Sequence, residues 1–116
     1  MTKPPQPPYS HALVQAVCDI LGQTDYPGLT GSEIDKLLIS LGLPPRDKTV
    51  NKRTGLLDSL YRRQLSNGRI LVAFMNRAMA PQRYVNDPQR FEELRQQLNE
   101  VLIFDELTIN NEGKVA

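Results

Sequence analysis

Few residues in this 116-residue chain have the chemistry for catalysis, and their spacing keeps them apart. His11 is the sole histidine and Cys18 the sole cysteine. Seven positions along a helix bring two side chains to one face but leave them about 10 Å apart, too far for a thiolate–imidazole pair. Cys18 stands among Val14, Val17, Ile20 and Leu21, the setting of a buried, inert thiol. One cysteine also excludes an internal disulfide and any multi-cysteine metal site. The adjacent carboxylates Glu92-Glu93 and Asp105-Glu106 point different ways on a helix and read as a solvated face. With no glycine-rich phosphate loop, metal-ligand spacing or nucleophile motif, the expectation is a non-enzymatic protein without cofactor or metal.

Charge is the feature above background. Residues 1–45 carry −2 and residues 84–116 carry −4, whereas residues 46–83 carry nine basic groups against two acidic, for +7. A basic segment between acidic ends points to an electrostatic partner: duplex nucleic acid, a partner protein, or another copy paired head to tail.

The elements that would present those charges follow from caps and periodicity. Four prolines in the first eight residues predict a flexible, extended tail over residues 1–9, ahead of one helical domain over residues 10–116. Ser10 can cap a helix to about Gln23, with Leu13, Val14, Val17, Ile20 and Leu21 on one stripe. Asp25-Tyr26-Pro27-Gly28 is turn chemistry. Thr30-Gly-Ser-Glu33 is a capping box before Ile34, Leu37, Leu38 and Leu41, and Gly42 with Pro44-Pro45 ends that helix.

A third helix is predicted from Lys48 to Ser66. Its wheel puts Val50, Leu57, Leu60, Tyr61 and Leu65 on one side, and Lys48, Lys52, Ser59, Arg62 and Arg63 on the other. Residues 69–80 fit a buried strand or a buried helix; length and Ala/Met content favour the helix. Asp87-Pro88 opens a fifth helix through Phe91, Leu94, Leu98 and Val101 to about Ile103. Beyond it, Leu107 and Ile109 alternate with polar residues and Asn110 to Gly113 can turn the chain, predicting a short terminal β-hairpin.

The fold expected is mainly α: a compact five-helix bundle with a helix-turn-helix-like middle and a C-terminal β-hairpin. Its core would hold Leu13, Val17, Ile34, Leu37, Leu38, Leu57, Leu60, Phe74, Phe91, Leu94, Leu98 and Val101. The second and third helices give two function classes. One is a protein-interaction or regulatory module, self-associating or bound to an effector. The other is duplex binding, with Lys48, Lys52, Arg62 and Arg63 as the nucleic-acid-binding residues. Four phosphates neutralised would give a log–log salt slope near about −3.6. In that reading Lys52→Glu with Arg63→Glu abolishes binding and spares the melting temperature. No run nears the length of a membrane span, and the amino terminus lacks an apolar signal core, so the expected location is the cytoplasm.

Four stretches add a resemblance: Gly28-Leu-Thr-Gly-Ser-Glu-Ile34, Arg77-Ala-Met-Ala-Pro-Gln-Arg-Tyr84, Arg90-Phe-Glu-Glu-Leu94 and Leu98-Asn-Glu-Val-Leu102. Over roughly residues 26–115 the chain resembles the amino-terminal region of bacterial abortive-infection-like proteins. The resemblance implies a sensing, docking or regulatory module in antiviral or stress defence. In that family the region precedes a helical effector domain, so the expectation is an excised domain or a stand-alone relative. The shared motifs are caps and core positions, and no catalytic residue carries over.

Overall fold

The computed structural model describes residues 6–116. Its five α-helices are α1 (His11–Leu21), α2 (Gly31–Ser40), α3 (Lys52–Gln64), α4 (Arg69–Ala78) and α5 (Pro88–Leu102). Two 3-10 turns, Pro81–Tyr84 and Ile103–Asp105, flank α5. The radius of gyration, 13.3 Å, is what a compact chain of this length should have. Among the described residues, no helix is long and apolar enough to cross a membrane.

Local chemistry sets most helix boundaries. The Ser10 hydroxyl accepts from the Leu13 amide at 3.2 Å and starts α1. The capping box of α2 is complete: Thr30 Oγ1 accepts from the Glu33 amide at 3.1 Å, and Glu33 Oε1 accepts from the Thr30 amide at 2.9 Å. The end of α2 needs a left-handed residue, and Gly42 supplies it at φ 77°. The Leu43 amide then reaches the Leu38 carbonyl and the Gly42 amide that of Ile39, satisfying two orphan acceptors. Asp87 Oδ1 accepts from the Arg90 amide, with Pro88 in the first turn of α5. Residues 69–78 are helical, with Leu71, Phe74, Met75 and Ala78 buried.

The third helix departs from its predicted register. It starts at Lys52, not Lys48, because Asp47 Oδ1 accepts from both the amide and hydroxyl of Thr49 and holds a turn there. Asn51 Oδ1 then caps the helix by accepting from the Thr54 amide at 2.8 Å. The buried stripe is Gly55, Leu56, Leu60 and Gln64, turned by about one residue from the predicted one; Leu57 is half-buried and Leu65 exposed. Of the predicted core, Leu57 and Val101 are half-buried and the rest are buried.

Both ends of the domain are strapped by side-chain amides. Gln64 is fully buried; its Oε1 accepts from the Tyr9 amide at 2.7 Å and its Nε2 donates to the Tyr9 carbonyl at 3.1 Å. Gln6 donates its amide to Asn67 Oδ1 and accepts from the Gly68 amide. Gln6 to Tyr9, expected to be the end of a flexible tail, are therefore pinned along α3 and α4. Residues 1–5 of that tail lie outside the described residues.

At the other end the predicted β-hairpin is replaced by a single antiparallel bridge, Ile109 to Val115, with no strand among the described residues. The turn forms, since Asn110 Oδ1 accepts from the amides of Glu112 and Lys114. Thr108 and Ala116 exchange both backbone bonds and the Asn110 amide reaches the Lys114 carbonyl, but the Lys114 amide goes to Asn110 Oδ1, so the pairing stops at one bridge; helix side chains hold its outer edges. Asn99 pairs with both the amide and the carbonyl of Ile109, Arg95 donates to that carbonyl too, and Asn76 Oδ1 accepts from the Val115 amide.

Helix α1 packs on α3 and α5, α3 on α1 and α4, and α2 chiefly on α4. The pairing that a helix-turn-helix rests on, α2 against α3, is not among the principal contacts.

Candidate interaction surface

The four predicted basic residues are not brought together. Lys48 is exposed but lies ahead of α3, in the turn held by Asp47. Lys52 points inward, where its ammonium donates to the carbonyls of Gln23 at 2.9 Å and Leu29 at 2.7 Å. Burial, with Arg46 nearby, lowers its pKa below the ordinary lysine value. It ties α3 to the segment between α1 and α2 and is spent on structure, so Lys52→Glu would disturb the fold as well as any ligand. Arg62 and Arg63 are exposed in the last turn of α3, where cations also suit the helix dipole.

The cluster richest in charge is one that sequence reasoning missed. Glu33 receives Arg83 Nη2 at 2.6 Å and Arg90 through both oxygens, at 2.9 and 3.3 Å. Arg90 also donates to the Pro27 and Gly28 carbonyls, and Arg83 to the Ala78 carbonyl and the Tyr84 hydroxyl. Both guanidiniums lie over the Tyr84 ring, 5.3 and 5.6 Å from its centroid. Partial burial alone would raise the Glu33 pKa. Hydrogen bonds from Arg90 and the Thr30 amide, with the charges of Arg90 and Arg83, outweigh it and hold the carboxyl at about 2. The donors and acceptors all serve to clamp the start of α2, the Pro27-Gly28 turn, the 3-10 turn and α5 together. Glu33 was legible only as a cap, since its partners lie 50 and 57 positions away.

The remaining chemistry of the two nucleophile candidates is quiet. Cys18 is buried and its thiol pushed far above the ordinary range by that burial, so it is not poised as a thiolate. His11 is exposed, its ring meeting Tyr61 edge-on at 4.7 Å.

Two surface features stand apart. The first is Ile103-Phe104, exposed at 63% and 85% although the other two phenylalanines are buried. The 3-10 turn carrying them is closed by Leu107 donating to Leu102 and Glu106 to Ile103, with Glu106 left-handed at φ 58°. Glu106 is the one non-glycine residue in that region among those described, a conformation costing a side-chain residue roughly 1–2 kcal/mol. Beside Phe104, a shallow apolar groove of about 230 Å³ runs between Ala12, Leu13 and Ala16 of α1 and Val101 of α5.

The second feature is a pocket of about 310 Å³ walled by Leu43, Pro44 and Pro45 on one side and α3 on the other. Gly55 lets the loop come this close: a Cβ there would lie 3.1 Å from the Asp47 carbonyl and 3.2 Å from Arg46 Cβ. Arg62 and Arg63 stand on the rim with Asp58 and Ser59. Comparison of the chain with protein-family models, with curated proteins and with solved structures gives no match.

Proposed function

We propose that this chain is a non-enzymatic protein-interaction module of the cytoplasm that uses Ile103-Phe104 as its anchor. One observation carries the reading: a phenylalanine 85% exposed, on a turn fixed by two backbone hydrogen bonds and a left-handed glutamate. An exposed ring forgoes the roughly 1.5–3 kcal/mol that burial of such a side chain contributes. Aromatic anchors held in place this way supply much of the energy of protein interfaces. Backbone strain retained beside one is the kind found where a segment binds. The resemblance to an amino-terminal docking region of abortive-infection-like proteins supports a regulatory role in defence or stress.

A photo-crosslinking phenylalanine analogue at position 104, introduced in cells, tests the reading. Protein adducts should form there and be absent from a probe at Lys36, an exposed position on α2. No protein adduct at 104 overturns the proposal.

Duplex binding is the second reading, favoured by the exposure of Lys48, Arg62 and Arg63. With Lys52 engaged internally, three phosphate contacts remain and the log–log salt slope should not exceed about −2.7 in magnitude. A titration of random duplex DNA against salt decides it, and no binding at low salt removes it.

A further inference from the structure

Phe104 and the Leu43–Pro45 pocket are built from different residues, and they match in chemistry. The knob is a phenyl ring with Ile103 beside it, flanked by the exposed carboxylates of Asp105 and Glu106 and, one helical turn back, Glu100. Arg69, which shares the surroundings of Tyr9 with Asp105, tempers this negative flank without cancelling three carboxylates. The pocket offers Leu43 and two proline rings as apolar walls and a glycine opposite, in a volume of about 310 Å³ that admits a benzyl group. Its lining carries Arg62 and Arg63 in the last turn of α3, with Asp58 one turn earlier and Asp47 in the loop, where Asp47 stays ionised while accepting from Thr49.

Resting on the interaction reading above, we infer that the partner of Phe104 is a second copy of this chain, joined head to tail. The Ile103-Phe104 knob of one protomer enters the Leu43–Pro45 pocket of the next, with Asp105 and Glu106 facing Arg62 and Arg63. Charge selects this arrangement over a two-fold one. An isologous contact through the knob would set Asp105 and Glu106 against their own copies, whereas the head-to-tail contact pairs unlike charges. A contact built on one knob is small and therefore transient. Being heterologous, it does not stop at two copies unless the rotation closes a ring.

Sedimentation velocity on the full chain across the micromolar to millimolar range is the test, with two variants. Phe104→Ala removes the knob and leaves the pocket; Arg62→Glu with Arg63→Glu reverses the rim and leaves the knob. All three positions are exposed, and matching circular-dichroism melts establish that both variants fold. The parent's average mass should climb with concentration past that of two copies. Each variant alone should associate at least about tenfold more weakly. An equimolar mixture should recover a 1:1 complex and nothing larger, because each variant contributes the half the other lacks.

A parent that stays monomeric throughout overturns the inference. So does a knob variant that fails to associate beside a rim variant that assembles normally, which is the signature of a two-fold contact. A mixture no larger than its parts overturns it as well. A monomeric parent with protein adducts at position 104 leaves the interaction reading intact, whereas the absence of adducts removes both.

Discussion

Lys52 and Glu33 show how far a side chain's neighbours decide what it does. Lys52 belongs by its helical wheel to the basic outer face of α3, yet its ammonium sits on the Gln23 and Leu29 carbonyls. Lys52→Met leaves both acceptors without a donor, and hydrogen bonds to charged groups contribute about 1.5–3 kcal/mol each way. We expect a loss of about 2 kcal/mol in a urea titration, against under about 0.5 kcal/mol for Arg63→Met on the surface. Glu33 makes a pH-dependent contribution. Its folded pKa of about 2 lies below the ordinary 4.5, so its stabilisation is complete above roughly pH 5 and is lost as pH falls toward 2. Its carboxylate is 26% exposed, and with solvent screening the clamp's share comes to about 2 kcal/mol. Glu33→Gln preserves the capping box while deleting the charge. The variant should be less stable than the parent at neutral pH, with the gap closing in acid denaturant titrations near pH 3.

At the scale of elements, the apolar period of α3 and its packing disagree about which face is buried, and the docking on α1 and α4 prevails. A helix begun at Asn51 and docked on α1 and α4 buries Leu56, Leu60 and Gln64, leaving Leu57 at the edge. Leu60→Ala should therefore destabilise by about 2–5 kcal/mol and Leu57→Ala by under about 1.5 kcal/mol, read from denaturant midpoints. Equal losses would mean that α3 is rotated back toward its predicted face. Gln64 gives the same helix a second role, as the strap for the amino-terminal segment. Gln64→Leu fills the space but strands the Tyr9 amide and carbonyl. Hydrogen exchange should find the Tyr9 amide deprotected by tenfold or more while the α5 amides stay protected. At the carboxy end three backbone bonds join residues 108–110 to 114–116, and the Lys114 amide turns to Asn110 Oδ1, so one bridge forms where a hairpin was predicted; Asn99 and Asn76 then dock its outer edges on α5 and α4.

Seen whole, the chain carries a basic and an acidic segment, but much of the basic one is committed to the fold. Arg46 pairs with Asp35, Lys52 with carbonyls and Arg83 with Glu33, so +7 along the sequence overstates the charge offered to a partner. Beside the Leu43–Pro45 pocket Arg62 and Arg63 face outward together with Asp47 and Asp58, and what faces outward beside Phe104 is acidic. Self-association driven by the ring and steered by these charges should weaken severalfold as salt rises past the point where the Debye length falls below about 8 Å. A salt-insensitive remainder should persist in the parent and be missing from Phe104→Ala, since apolar burial is not screened. Sedimentation at two ionic strengths separates the two terms.

The sequence by itself determined the helical class, the capping box at Thr30, the left-handed stop at Gly42 and the start of α5 at Asp87. Each is a short-range matter in which a side chain meets a backbone group within about four residues. It also determined most of the core, because a 3.6-residue period marks a face whatever that face packs against. Tertiary structure decided the rest. Which face of α3 is buried depends on α1 and α4; whether Lys52 is a ligand for phosphate or for carbonyls depends on where the 23–29 segment passes. The Glu33 clamp joins residues 50 and 57 positions apart, and the terminal bridge is docked on the helices by Asn99 and Asn76 from across the fold. The exposure of Phe104 was equally out of reach, since an apolar residue ending an apolar period looks buried until the surface beside it is found to be uncovered.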